Sequence, residues 1–173
     1  MTESFPALVA IDIVDERWPT EIADIEAKAT VAVRAAYVSA ADAELLGHRG
    51  VEVSLLLAGD SELRTLNNDY RDKDQPTNVL SFPAIAAGDP PPPPGMPLLL
   101  GDIAVSYDTA RAEANDENKT LEDHFCHLVV HGMLHLLGFD HQGDEQAVEM
   151  ERLEIAVLAE LGIADPYEDA SDA

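Results

Sequence analysis

Four stretches of the chain have the hydrophobic pattern of β-strands. In the second stretch, apolar residues at every other position from Val51 to Leu57 alternate with the polar residues Glu52 and Ser54. A period of two is typical of a strand with one buried face and one wetter face. The predicted strands cover residues 8–14, 51–57, 78–82 and 98–106.

Other segments have the spacing or the end signals of α-helices. From Ile22 to about Tyr37, apolar residues recur every three or four positions and so share one helix face. Thr120 with Asp123 resembles a capping box, and Gly138 suits the left-handed conformation in which many helices end. The predicted helices are residues 22–37, a short helix capped by Asp60 or Ser61, and residues 107–114, 121–137 and 144–161.

The length of 173 residues, of which 46% are hydrophobic, predicts one domain of ordinary size. We expect this domain to cover residues 1–165 and to be followed by an acidic tail, residues 166–173, with the chain frayed after Gly162. The run from Pro90 to Pro94 cannot donate backbone hydrogen bonds and favours polyproline II. We expect a mobile proline-rich loop at residues 86–97, the alternative being a ligand for a proline-binding domain.

The charge of the chain limits how it can bind nucleic acid. Ten basic and thirty-four acidic residues give a net charge of −24. Because nucleic-acid affinity rests largely on Lys and Arg contacts to phosphate, we do not expect a protein that coats DNA or RNA unselectively. A local basic patch or a metal ion would have to supply the attraction. Arg49, Arg64, Arg71 and Lys73 fall within 25 residues and form a candidate patch.

The cysteine content and the apolar runs exclude further classes of protein. Cys126 is the single cysteine, which excludes an internal disulfide framework and an all-cysteine zinc site. The apolar runs are short, and residues 1–6 lack the basic region of a secretory signal. We therefore expect no membrane partner and a cytoplasmic location.

The helix predicted at 121–137 carries four histidines, at positions 124, 127, 131 and 135. His131 and His135 are four residues apart, so both imidazoles project from one face. Gly138 then ends the helix, and the following turn can bring His141 back toward that face. Three imidazoles with an open fourth position are typical of a catalytic zinc site, whereas burying unpartnered histidines is unfavourable. We predict one zinc ion per chain, bound by His131, His135 and His141.

The remaining residues around this motif leave alternatives open. His127, one turn before His131, can be a fourth ligand, a partner of a ligand or a packing residue, and we favour the last two roles. We expect His124, near the helix start, to be exposed. A zinc peptidase would carry a glutamate directly after its first histidine as general base, and here that position is Gly132. A peptidase is therefore disfavoured.

Three motifs together resemble the YbeY family of bacterial endoribonucleases and rRNA maturation factors. Its zinc signature is similar to residues 131–141, which read HGMLHLLGFDH. Two other characteristic segments of the family are similar to residues 66–83 and to Leu100-Gly101-Asp102-Ile103. The three motifs occur in the same order as in the family.

The resemblance implies both a fold and a function. The fold would be α+β: a small mixed four-stranded sheet packed with about five helices, with the metal site on the central helix. The function would be zinc-dependent cleavage of single-stranded RNA in ribosomal RNA processing, notably at the small-subunit 3′ end, and in ribosome quality control. The implied partners are ribosomal RNA and the small subunit or its assembly factors, with no DNA. A zinc-stabilised assembly factor without nuclease activity is the alternative.

The resemblance to the family also implies that Arg71 is a catalytic residue. Its planar guanidinium can bind two phosphate oxygens at once. The structural alternative is an ion pair with Asp69 or Asp72. The sequence identifies no general base, and it does not decide whether hydroxide or the RNA 2′-hydroxyl attacks.

Overall fold

The computed structural model describes residues 7–40, 51–84, 98–139 and 143–167. Its strands are β1 (Ala7–Ile13), β2 (Val51–Ala58), β3 (Val79–Pro83) and β4 (Leu98–Ser106). Its helices are α1 (Arg17–Glu21), α2 (Ile25–Ala40), α3 (Asp60–Arg71), α4 (Tyr107–Asp116), α5 (Leu121–Leu136) and α6 (Asp144–Glu160). The predicted strands and the five predicted helices are confirmed, with ends that differ by a few residues, and α1 is additional.

The four strands form one mixed sheet in the order β1-β2-β4-β3. Strands β1, β2 and β4 are parallel, and β3 pairs antiparallel with β4. Ile11 of β1, Leu55 of β2 and Ile103 of β4 lie in one row across the parallel strands. The expected α+β fold with a small mixed sheet is therefore confirmed.

The main core lies between one face of the sheet and helices α2 and α5. The alternating apolar residues of β2, from Val51 to Leu57, face this core and are at most 2% exposed. Helix α1, which the sequence pattern did not predict, is anchored by Trp18. This side chain is fully buried and donates its indole N–H to the carbonyl of Ala58 at 2.9 Å. Packing of one large side chain thus stabilises a helix that is too short to have a clear sequence signal.

Helix α3 covers a smaller apolar cluster, in which Leu63 packs with Ala58, Leu80 and Ala104. The prediction that Asp60 or Ser61 caps this helix is wrong, because Gly59 is the N-cap residue. The N–H of Gly59 donates to the Glu62 carboxylate at 2.9 Å. The carboxylate of the expected cap residue Asp60 instead accepts hydrogen bonds from the hydroxyls of Ser106 and Thr109, both at 2.6 Å.

The segment after α6 differs from the expectation of a frayed end. Ile163 packs against the core, and the carbonyl of Pro166 accepts a hydrogen bond from Lys119 Nζ at 3.1 Å. The expectation is therefore wrong for residues 163–167. The proline-rich segment 86–97 and residues 168–173 lie outside the described residues. Within the described ranges, no helix is long and apolar enough to span a bilayer.

Candidate metal centre

Both ends of helix α5 are formed by the residues that the sequence indicated. At its start the Thr120 hydroxyl accepts a hydrogen bond from the backbone N–H of Asp123 at 3.0 Å. At its end Gly138 has φ +104°, and its N–H donates to the carbonyl of His135 at 3.0 Å. The N–H of Phe139 donates to the carbonyl of Leu134 at 3.0 Å, which completes a Schellman motif. The helix therefore ends directly after His135, the second of the two histidines that share a face.

The four histidines of α5 form a row along one side of the helix. Their successive ring centroids are 5.8, 6.4 and 4.7 Å apart, in the order His124, His127, His131, His135. The shortest step joins His131 and His135. These two rings are partly exposed, so a solvent molecule or a substrate can approach them.

The Nε2 atoms of His131 and His135 converge to 3.1 Å. Two imidazoles bound to one tetrahedral zinc at the usual Zn–N distance have nitrogens about 3.3 Å apart. The spacing of this pair therefore fits two ligands of a single ion. His141, the third predicted ligand, lies outside the described residues, and within them no three metal-binding side chains form a group.

Glu154 of α6, which the sequence motifs did not indicate, lies beside the predicted ligand His131. It is fully buried, yet its carboxylate lies against the histidine row. Its Oε2 atom is 2.5 Å from Nδ1 of His131, and its Oε1 atom is 3.0 Å from Nε2 of His127. The hydroxyl of Tyr167 donates to the same Oε1 atom.

The surroundings of Glu154 keep its carboxylate ionised. Burial raises the pKa of this carboxyl, but the hydrogen bonds from His127, His131 and Tyr167 together outweigh burial and place the pKa well below its usual range. A carboxylate accepts hydrogen bonds, and His131 can make the 2.5 Å contact by donating from Nδ1. The sequence carries a signal for this residue: Glu154 occupies the apolar stripe of α6, four residues after Met150 and four before Leu158.

His127 and His124 have structural partners rather than a place beside the converging pair. The Nε2 atom of His127 is directed to Glu154, so His127 contacts the partner of the predicted ligand His131 and not that ligand itself. The expectation that His124 is exposed is wrong, because His124 is only 3% exposed. Its Nε2 atom is 2.8 Å from Oε1 of Glu113, which also accepts a hydrogen bond from the amide of Asn78. The pKa of the Glu113 carboxyl is lowered by the bond from His124, against the effect of burial.

Gly132 faces the sheet and not the histidine row. A Cβ atom at this position would lie 2.9 Å from Cγ2 of Ile103 and 3.2 Å from the hydroxyl of Ser81. That hydroxyl donates to the Gly132 carbonyl at 3.2 Å. The position that carries the general base of a zinc peptidase therefore has no room for a side chain and does not point to the metal.

Arg71 is the last residue of α3, and its side chain is exposed. In the described part of the chain no ion pair joins Arg71 to Asp69 or Asp72. The neighbouring Arg64 is the paired residue, with Nε 2.7 Å from Oδ1 of Asp74.

Comparisons with known proteins identify the family of this chain. A family model described as endoribonuclease YbeY matches residues 14–162. The chain belongs to the YbeY family. A relative from Paramagnetospirillum magneticum, also named endoribonuclease YbeY, is 51% identical over 92% of this chain and 94% of its own length. A relative of the same name from Rhodospirillum rubrum is 46% identical over 96% of this chain and 84% of its own length.

The fold of this YbeY family member is also similar to a solved structure. The solution structure of a Thermotoga maritima protein has a TM-score of 0.54 to this chain and 22% sequence identity. The match covers 93% of this chain and 99% of that protein. At this identity the likeness concerns the fold alone.

Proposed function

We propose that this YbeY family member is a zinc-dependent endoribonuclease that cleaves single-stranded RNA during ribosomal RNA maturation. The observation that carries the proposal is the convergence of His131 and His135 at 3.1 Å on the solvent-accessible side of α5. Family membership supports it, since the relatives described above are named endoribonucleases. We place its action at the small-subunit rRNA 3′ end and in ribosome quality control, in the cytoplasm.

His131, His135 and His141 would hold the metal. The donor set fits zinc, because neutral imidazole is a common zinc ligand and three of them leave one position open for water or substrate. When bound, zinc lowers the pKa of a coordinated water toward 7 and accepts a phosphoryl oxygen. The residues of this chain fix the site: Glu154 holds His131 through Nδ1, and the end of α5 at Gly138 leaves His135 at the edge of the domain.

Arg71 would bind the RNA backbone. Among the described residues no carboxylate forms an ion pair with Arg71, so the paired donors of its guanidinium are available for phosphate oxygens. The neighbouring Arg64 is already neutralised by Asp74. Positive charge at Arg71 and at the metal would attract RNA locally, while the net charge of −24 would repel RNA from the rest of the surface. The proposed macromolecular partners are the small ribosomal subunit or its assembly factors.

Two features disfavour the alternative functions. A zinc peptidase would need a carboxylate at the position of Gly132, which packs against Ile103. A purely structural zinc site would have four protein ligands. His127, the remaining nearby histidine, is directed to Glu154 instead of the converging pair.

The proposal is tested with purified, zinc-loaded protein and three substrates: an unstructured RNA, an RNA duplex and casein. We expect cleavage of the unstructured RNA, slow cleavage of the duplex and none of casein. A chelator should abolish cleavage, and added zinc should restore it. His131→Ala prepared in parallel controls for contaminating nuclease. Cleavage that persists in His131→Ala or in excess chelator would overturn the proposal.

A further inference from the structure

The carboxylate of Glu154 connects three parts of the chain that are distant in sequence. It lies on α6 and accepts hydrogen bonds from two histidines of α5 and from Tyr167 beyond the end of α6. We propose that Glu154 is a positioning residue for the metal centre, which holds the hydrogen of His131 on Nδ1 and thereby presents Nε2 to the metal. This inference rests on the proposed metal site.

The burial of Glu154 shows that the carboxylate is not there for packing. A carboxyl group removed from water is unfavourable unless hydrogen bonds compensate it, and an apolar side chain would pack at the same place without that cost. Glu154 is 0% exposed and has hydrogen bonds to both carboxylate oxygens. A buried carboxyl group with hydrogen bonds to both oxygens indicates a role in orienting its partners and not only in filling space.

The position of the carboxylate is fixed by the packing of α6. Met150, Val157 and Leu158, on the same face of that helix, are fully buried. With the helix anchored in this way, Oε2 lies 2.5 Å from Nδ1 of His131. The ring of His131 is then oriented so that its other nitrogen faces Nε2 of His135 at 3.1 Å. A histidine that donates its second N–H to a carboxylate in this manner is a recurrent feature of zinc sites.

The two carboxylate oxygens of Glu154 have different hydrogen-bond partners. Oε2 contacts His131, while Oε1 accepts from His127 and Tyr167. His127 and Tyr167 orient the carboxylate through Oε1, and they act on the predicted ligand His131 only through Glu154. Loss of Glu154 should therefore weaken metal binding more than loss of the Tyr167 hydroxyl.

The first test measures the tautomer of His131 in the zinc-free wild-type protein. Long-range proton–nitrogen NMR correlations report which ring nitrogen carries the hydrogen, after assignment by comparison with His131→Ala. We expect the hydrogen on Nδ1. A hydrogen on Nε2 would overturn the inference. This measurement needs no variant of Glu154 and decides the matter even if such a variant does not fold.

The second test measures zinc affinity by competition with a chromophoric chelator. For Glu154→Gln we expect a dissociation constant for zinc that is raised about 10–100-fold, with one zinc still bound at saturation. Glu160→Gln removes the same charge from an exposed position of α6 and should match the wild type within about twofold. Tyr167→Phe should fall between the two.

The outcomes separate this inference from the proposed metal site. If wild-type protein binds no zinc, or His131→Ala binds it as tightly as the wild type, the metal site is wrong and the inference falls with it. If His131→Ala loses zinc while folded Glu154→Gln binds it at the wild-type affinity, only the inference fails. A weakening that is equal in Glu154→Gln and Glu160→Gln also contradicts it, because net charge alone would then explain the effect.

Discussion

His131 and His135, one turn apart on helix α5, direct their Nε2 atoms to a common point and approach to 3.1 Å. Two side chains on one helix face do not converge in this way by spacing alone, since each ring can rotate about its side-chain bonds. The ring of His131 is held by Glu154 through the opposite nitrogen. The geometry of the pair therefore depends on α6 as well as on α5.

We predict that His131→Ala, His135→Ala and His141→Ala each lose most of the bound zinc, because removal of one of three imidazoles leaves a site in which water competes for the metal. Elemental analysis of purified protein should give about one zinc per chain for the wild type and well below that for each variant. His127→Ala should keep its zinc, since His127 is directed to Glu154. Full zinc in all three ligand variants would contradict the assignment, and zinc loss in His127→Ala would indicate a four-ligand structural site.

We predict that Arg71→Ala keeps its zinc and its thermal transition but loses cleavage of RNA about 10²-fold, the usual effect of removing one charge-assisted contact to a reacting phosphate. Arg71→Lys should recover only part, because an ammonium lacks the planar fork. The salt dependence of RNA binding should be less steep for Arg71→Ala than for the wild type, since one phosphate contact is lost.

Arg64→Ala is the matched control for this experiment. It removes the same charge from the same helix, but Arg64 is engaged by Asp74 in the free protein. Its cleavage rate should stay within a few-fold of the wild type. Equal losses in Arg64→Ala and Arg71→Ala would assign the effect to overall charge, and unchanged cleavage by Arg71→Ala would remove the residue from the catalytic site.

We predict that Gly132→Ala destabilises the protein. Alanine is favoured over glycine in a helix by about 1 kcal/mol. Its Cβ, however, would lie 2.9 Å from Cγ2 of Ile103, and such overpacking costs about 1–3 kcal/mol. Urea unfolding should show the net loss. In an Ile103→Ala background the same substitution should lower the free energy of unfolding by less, because the methyl group that the new Cβ meets is gone. An unchanged loss in this double-mutant cycle would exclude the contact as the cause.

We predict a pH-dependent contribution of Glu113 to stability. The pKa of this carboxyl is lowered from 4.5 in the folded state, chiefly by its hydrogen bond with His124. Its contribution is therefore fully present above pH 4.5 and is lost as the pH falls through the folded-state pKa. Glu113→Gln should lower the free energy of unfolding at neutral pH by about 1 kcal/mol, a small value for a charged hydrogen bond because the carboxyl is partly exposed.

The difference in the free energy of unfolding between wild type and Glu113→Gln should shrink below pH 4.5 as the wild-type carboxyl is protonated. Asp116→Asn, an exposed position on the same helix, serves as the control for charge removal. Urea unfolding at several pH values measures both. A difference that stays constant down to the acid limit would show that the hydrogen bond does not depend on the ionised carboxylate.

We predict that Cys126 reacts slowly with iodoacetamide in the native protein. Burial raises the pKa of this thiol from 9.0 to about 11, which lowers the thiolate fraction at pH 8 about 10²-fold. Mass spectrometry over time should show slow labelling in buffer and rapid labelling in urea. Equal rates in the two solvents would place the thiol at the surface.

The amino-acid sequence determined the features that depend on neighbours within one or two helical turns. Thr120 and Gly138 set the ends of α5, because capping groups act on backbone N–H and C=O groups a few residues away. The four-residue spacing of His131 and His135 placed both on one face for the same local reason. The alternation from Val51 to Leu57 likewise indicated which side of β2 is buried.

Only the tertiary structure decided which distant groups meet these local elements. Glu154 is 23 residues from His131 in sequence, and the buried His124 contacts Glu113 of another helix. Such partners are set by the packing of whole helices, and helix packing depends on the summed apolar contacts of many residues rather than on any single spacing. The same reason applies to Arg64, whose ion pair with Asp74 depends on how the chain turns after α3. Local spacing therefore defined the histidine face, and long-range packing supplied the carboxylate that orients it.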